Sequence, residues 1–157
     1  MFALPWYSII LISIPQTILI ILLGFQLFNL QMDFRRCLII ALLVGVITYA
    51  LRRSSMVAGG HTILLITIII ILVSLINKSN ILHNMASIML GSMIMGAIEG
   101  VWCPLFLSLT SHSLEDLAIY PWINIACFMP ILVVALIIYI LIRKHSFVVY
   151  NLNPKGI

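Results

Sequence analysis

Five long apolar runs separated by short polar breaks make up most of the chain. The first extends from about Trp6 to Leu30 and ends at the polar stretch Gln31-Met32-Asp33-Phe34-Arg35-Arg36. The second, about Cys37 to Leu51, is the shortest and carries an arginine pair at each end, Arg35-Arg36 and Arg52-Arg53. The third, about His61 to Ile76, follows Gly59-Gly60 and is dominated by isoleucine, whereas the fourth, about Asn84 to Leu107, is rich in Gly, Ser, Ala and Met. The fifth, about Trp122 to Ile142, stops at Arg143-Lys144-His145. A helix needs about 20 apolar residues to cross the hydrocarbon core of a bilayer. The second run falls short of that, but arginine stems snorkel and the flanking backbone extends such a helix into the headgroup layer. The β-branched third run would favour a strand in water; in lipid a lone strand leaves its backbone groups unsatisfied, so a helix is expected. The expected fold is all-α: a polytopic transmembrane helical bundle of five spanning helices, about residues 6–30, 35–53, 61–77, 83–108 and 121–143, in a single domain over 1–157.

Composition agrees with a lipid solvent. Of the 157 residues, 64% are hydrophobic and 8% charged, against roughly 25% charged in an ordinary soluble domain. The net charge of +4 arises from eight basic and four acidic residues, too sparse a set for a nucleic-acid footprint. The first run lacks a positively charged leader and a small-residue cleavage site, so it reads as a retained helix. The expected location is the cell membrane, with multiple passes.

The basic residues also orient the bundle, because cytoplasmic loops are enriched in Lys and Arg. With five spans, Arg35, Arg36, Lys78, Arg143, Lys144 and Lys155 fall on one side, and Arg52 and Arg53 on the other. That bias places the N-terminus outside and the C-terminus in the cytoplasm. The last loop, with Glu115 and Asp116, and the aromatic residues Trp6, Tyr7, Trp102, Tyr120 and Trp122 then share the outer face. In that loop Ser113-Leu114-Glu115-Asp116 has the form of a capping box, so either a short interfacial helix or a polar turn is expected.

Glu99, in Gly96-Ala97-Ile98-Glu99-Gly100, is the foremost candidate for chemistry. An acid at the centre of a spanning helix costs about 2.5–3.5 kcal/mol on insertion scales and usually faces the bundle interior or a wet cavity. It can bind a cationic group, take up a proton, or hold helices together as a hydrogen-bonded carboxyl. Ser92, Gly96 and Gly100 recur every four positions beside it, a small-residue stripe that lets a neighbouring helix approach closely. Gln16, at mid-depth in the first helix, is a candidate partner for Glu99. It follows Pro15, whose ring removes a backbone donor and frees a carbonyl one turn earlier. His61 opens the third helix and is either an interfacial helix-start residue or a ligand contact.

Other chemistries lack support. Cys37, Cys103 and Cys127 form no C-x-x-C pair, which argues against a zinc site or a disulfide framework. The eight methionines are better suited to filling irregular gaps than to holding copper. G-x-S-x-G, H-E-x-x-H and glycine-rich phosphate loops do not occur, so no catalytic residue, metal or cofactor is expected and an enzyme is disfavoured.

Taken together, Ser13-Ile14-Pro15-Gln16, Gly60-His61-Thr62, Gly96 with Glu99, and Phe128-Met129-Pro130 give the chain a resemblance to small five-helix membrane proteins of Firmicutes. Those proteins look like the membrane sensor portion of quorum-sensing-type histidine kinases without the kinase domain. Members of that group often carry an acid after the first proline, where this chain has Gln16. The resemblance implies a sensory or accessory module working with a separately encoded histidine kinase. A tail of about 14 residues after Arg143 leaves lateral helix contact as the route for output. Two other readings stay open: a small transporter or the substrate-binding membrane subunit of one, since proline-interrupted helices and a buried acid suit transport, and an assembly partner using the small-residue stripe. Expected partners are the lipid bilayer, a histidine kinase and a second copy of the chain.

Overall fold

The computed structural model describes residues 6–52, 60–77, 80–113 and 119–150, and every element among them is α-helical. Five helices result: α1 (Trp6–Leu27), α2 (Phe34–Arg52), α3 (Gly60–Asn77), α4 (Ile81–Thr110) and α5 (Pro121–Lys144). Phe34–Leu51, Ile81–Thr110 and Pro121–Lys144 are long and apolar enough to cross a membrane, and Leu11–Leu27 and Thr62–Asn77 form shorter apolar stretches. The second run, short by composition, qualifies because Phe34, Arg35 and Arg36 join its first turn.

Local chemistry sets the helix ends. The first helix stops at Leu27, before the end of its apolar run. Asn29 adopts a left-handed conformation (φ 53°) and the Leu30 N–H returns to the Phe25 carbonyl at 2.8 Å, a tight C-terminal closure. The fourth starts earlier and ends later than the expected 83–108. The Asn80 side chain accepts from the Leu82 N–H at 3.2 Å, and left-handed Ser111 (φ 55°) sends its N–H to the Leu107 carbonyl. Pro15, Pro104 and Pro130 all lie inside helices that continue through them. Pro121 occupies the start of α5, where a missing N–H costs nothing. Residues 114–116 of the expected capping box lie outside the described residues.

Pairwise contacts show that the helices alternate in direction. Residues 24, 20 and 16 of α1 meet 87, 91 and 99 of α4, an antiparallel register. Arg36, at the start of α2, donates to the Asn77 side chain, at the end of α3, at 3.4 Å. The Tyr7 and Trp122 rings lie 6.1 Å apart, so α1 and α5 begin at the same end. Their far ends meet too, where the Val149 N–H donates to the Leu27 carbonyl at 2.8 Å. One end of the bundle therefore collects Arg35, Arg36, Arg143 and Lys144, and the other collects Tyr7 and Trp122.

Helix α1 is the hub, packing on α2, α4 and α5, while α3 joins α2 to α4 and α4 also meets α5. One apolar cluster includes Ile21, Phe25, Ile40, Val44, Val73 and Ile88. A second, on the other side of α1, includes Leu19, Leu23, Met95, Ile131 and Leu132. The outward faces are apolar as well: Leu38, Leu42 and Val46 of α2 and Val133, Ile137 and Ile140 of α5 are all exposed. The buried set instead includes Ser13, Thr17, Thr48, Asn84, Ser87 and Asn124. Apolar surface on this scale outside and polar groups within make this a membrane protein's arrangement, since a soluble monomer rarely exposes large apolar patches.

The close helix approach departs from the sequence-based expectation. Gly96 and Gly100 are exposed, and a Cβ on either would meet no atom within 4 Å. Within the chain, the small-residue stripe is not what brings a neighbour near. That role belongs to Gly24 and Gly91: a Cβ on Gly24 would stand 2.1 Å from the Ser87 carbonyl oxygen, and one on Gly91 2.2 Å from that of Ile20. The reason is helical phase. Asn84, Ser87, Ile88, Gly91 and Met95 make the buried face of α4, with the three-and-four spacing of one helix side. Ser92, Gly96 and Gly100 lie about one residue, or roughly 100°, around from it. Asn84 completes the buried face by donating its Nδ2 to the Ser74 hydroxyl of α3 at 3.0 Å.

Candidate functional site

Toward the aromatic end, polar and apolar side chains together surround a cavity of about 280 Å³. All five helices line it. Helix α1 contributes Ser13, Gln16 and Thr17, one turn of a single face, and α2 contributes Val44 and Thr48. Helix α3 supplies Thr62 and a wall of Leu65, Ile66 and Ile69. The other side holds Ser92, Met95, Gly96 and Glu99 of α4, with Asn124 and Phe128 of α5.

The antiparallel register of α1 and α4 brings the two polar residues singled out by sequence into contact. Gln16 Nε2 donates to Glu99 Oε1, linking the helices beside the cavity. Both side chains are part-buried, and Glu99 is the one ionisable side chain among the described residues of the lining. No group of three potential metal ligands occurs among the described residues.

Three of the hydroxyls in the cavity, those of Thr17, Thr48 and Ser92, are already committed as donors. Thr17 Oγ1 donates to the Ser13 carbonyl at 2.8 Å, Thr48 Oγ1 to the Val44 carbonyl at 2.7 Å, and Ser92 Oγ to the Met89 carbonyl at 2.8 Å. Each proton returns to the residue's own helix, as hydroxyls in helices commonly do. What these groups have left to offer is oxygen lone pairs.

Asn124 is different. It is 8% exposed, and its Oδ1 is buried without a hydrogen-bond partner. Buried polar atoms in folded proteins are nearly always paired, and an orphan calls for an explanation. One helical turn further along α5, the Cys127 carbonyl accepts from Trp102 Nε1 at 3.0 Å. The Cys127 and Cys103 sulfurs lie 3.6 Å apart, and both thiols are free. Cys103 is one turn from Glu99 on α4, so the thiol pair adjoins the cavity.

Of the sequence-based candidates, Gln16 and Glu99 meet, Ser92 and Gly96 line the same cavity, and Gly100 does not. His61 is the second residue of α3, and its side chain lies outside the described residues. Sequence reasoning missed Asn124, Thr17 and Thr48. Their signal was a polar residue within an apolar run, the criterion applied to Gln16, yet a threonine hydroxyl so readily satisfies itself on its own helix that it draws no notice. No protein-family model, curated protein or solved structure matches this chain.

Proposed function

We propose that this is a non-enzymatic, multi-pass protein of the cell membrane, with all five helices spanning, the N-terminus outside and the C-terminus in the cytoplasm. In this reading it is a sensory or accessory module that passes occupancy of the intramembrane cavity to a partner, such as a histidine kinase, through lateral helix contact. The observation that carries the reading is the cavity itself: Glu99 and Gln16 sit in a space to which every helix contributes. A ligand held there touches all five helices at once and biases how they pack. The span count is supported by the 22 residues of α1 and the 18 of α3, about 33 and 27 Å at 1.5 Å per residue. The orientation rests on the basic end being cytoplasmic.

The test is association and output in the native membrane. The tagged protein, solubilised gently, is expected to capture a histidine kinase, and deleting its gene is expected to change phosphorylation of that kinase's response regulator. Failure to capture a kinase, together with unchanged phosphorylation on deletion, would remove the reading.

A small transporter is the second reading. It is favoured by Pro15 directly before Gln16 and Pro130 two positions after Phe128, in two helices that line the cavity. Substrate uptake into reconstituted vesicles, abolished by Glu99→Gln, would select it over the sensory module.

A further inference from the structure

The cavity has a chemical preference that can be read from its walls. Its acceptors are the Glu99 carboxylate and the lone pairs of Thr17 and Thr48, whose protons are spent on their own helices. The donor-bearing side chains beside them are Gln16, whose amide already gives one proton to Glu99, and Ser13, Thr62 and Asn124, all of them uncharged. No Lys, Arg or His appears among the described residues of the lining to neutralise the carboxylate. A buried charge without a counter-charge is costly, and a buried acceptor without a donor costs its desolvation as well. An occupant that carries positive charge and N–H donors answers the carboxylate on both counts.

The remaining walls define the rest of the ligand. Ile20, Leu65, Ile66, Ile69 and Met95 are apolar, and Phe128 offers an aromatic ring, a surface suited to a hydrocarbon body and to a nearby cation. A volume of about 280 Å³ corresponds to roughly nine waters at about 30 Å³ each, space for a small organic molecule and not for a peptide. We infer that the cavity is a binding site for a small organic ammonium ion, its N–H groups on Glu99 and its apolar body against α3 and Phe128. The inference rests on the ligand-responsive reading given above and names the class of ligand.

The experiment measures binding to the purified protein in lipid nanodiscs with three probes of one shape: benzylammonium, neutral benzyl alcohol and anionic benzoate. Saturable binding of benzylammonium at one site per chain is expected, at least tenfold tighter than benzyl alcohol, with no saturable benzoate binding. Glu99→Gln should bring benzylammonium down to the level of benzyl alcohol. Equal affinity for the charged and neutral probes, or preference for benzoate, overturns the inference. That comparison uses the unaltered protein and so holds even where a variant does not fold. Absent ammonium binding with kinase association intact removes the ligand class but not the sensory reading. Ammonium binding without any kinase association sustains the ligand class and counts against the partner.

Discussion

Gln16 and Glu99, 83 positions apart in the chain, share a hydrogen bond between α1 and α4. Interhelical hydrogen bonds in membranes average about 0.6 kcal/mol and reach about 1.7 kcal/mol. In a double-mutant cycle with Gln16→Ala and Glu99→Ala, a coupling of roughly 0.5–2 kcal/mol is expected. Reversible unfolding in mixed micelles measures it. Additive effects would mean that the two side chains do not interact. Glu99→Gln should cost less than Glu99→Ala, because Gln retains an oxygen to accept from Gln16.

Gly24 and Gly91 should tolerate no side chain. The atoms a Cβ would strike are backbone oxygens of Ser87 and Ile20, which cannot rotate aside, so relief requires moving a helix. Gly24→Ala and Gly91→Ala are each expected to destabilise by about 1–3 kcal/mol, the usual range for overpacking. Gly96→Ala and Gly100→Ala, opening onto free space, should be neutral. Comparing the four variants by thermal unfolding in detergent checks the packing face of α4, and equal losses in both pairs would contradict it.

The thiols of Cys103 and Cys127 are poised for cross-linking. Treatment of membranes with a two-electron thiol oxidant such as diamide should form one S–S bond between them, with loss of two hydrogens per chain. Cys37 is buried on another part of the bundle, between α2 and α1, and should remain a thiol. Peptide mapping by mass spectrometry distinguishes the pairs. A Cys37 disulfide within the chain would be incompatible with the fold. Because the bond would tie α4 to α5 beside the cavity, oxidised protein should also exchange benzylammonium more slowly.

Five spans with an outer N-terminus require a cytoplasmic C-terminus. Green fluorescent protein fused after Ile157 should fluoresce, and alkaline phosphatase at the same place should be inactive. The opposite pattern would mean either an even number of spans or the inverted orientation.

Much of the architecture is legible in one dimension. Helix positions follow from runs of Leu, Ile and Val between charged breaks, because a chain in lipid must satisfy its backbone within each segment. Glu99 and Gln16 stand out for the same reason, since a polar group in an apolar run is visible without coordinates. Helix ends were less legible: α1 closes at Leu27 through the left-handed Asn29, and α4 gains a turn from the Asn80 cap.

What the sequence by itself determined is the helical class, the number of apolar segments and the presence of a rare acid among them, because hydrophobicity and backbone satisfaction are local properties. Which helices touch, and through which face, was decided only by the tertiary structure. In lipid every face of a helix is apolar, so hydrophobic periodicity, which marks the buried side of a helix in water, says little. Phase then depends on steric fit, and fit selected Gly24 against Ser87 and Gly91 against Ile20 over the more conspicuous Gly96 and Gly100. The same choice of register brought Asn124, Thr17 and Thr48 to the cavity that Glu99 and Gln16 border.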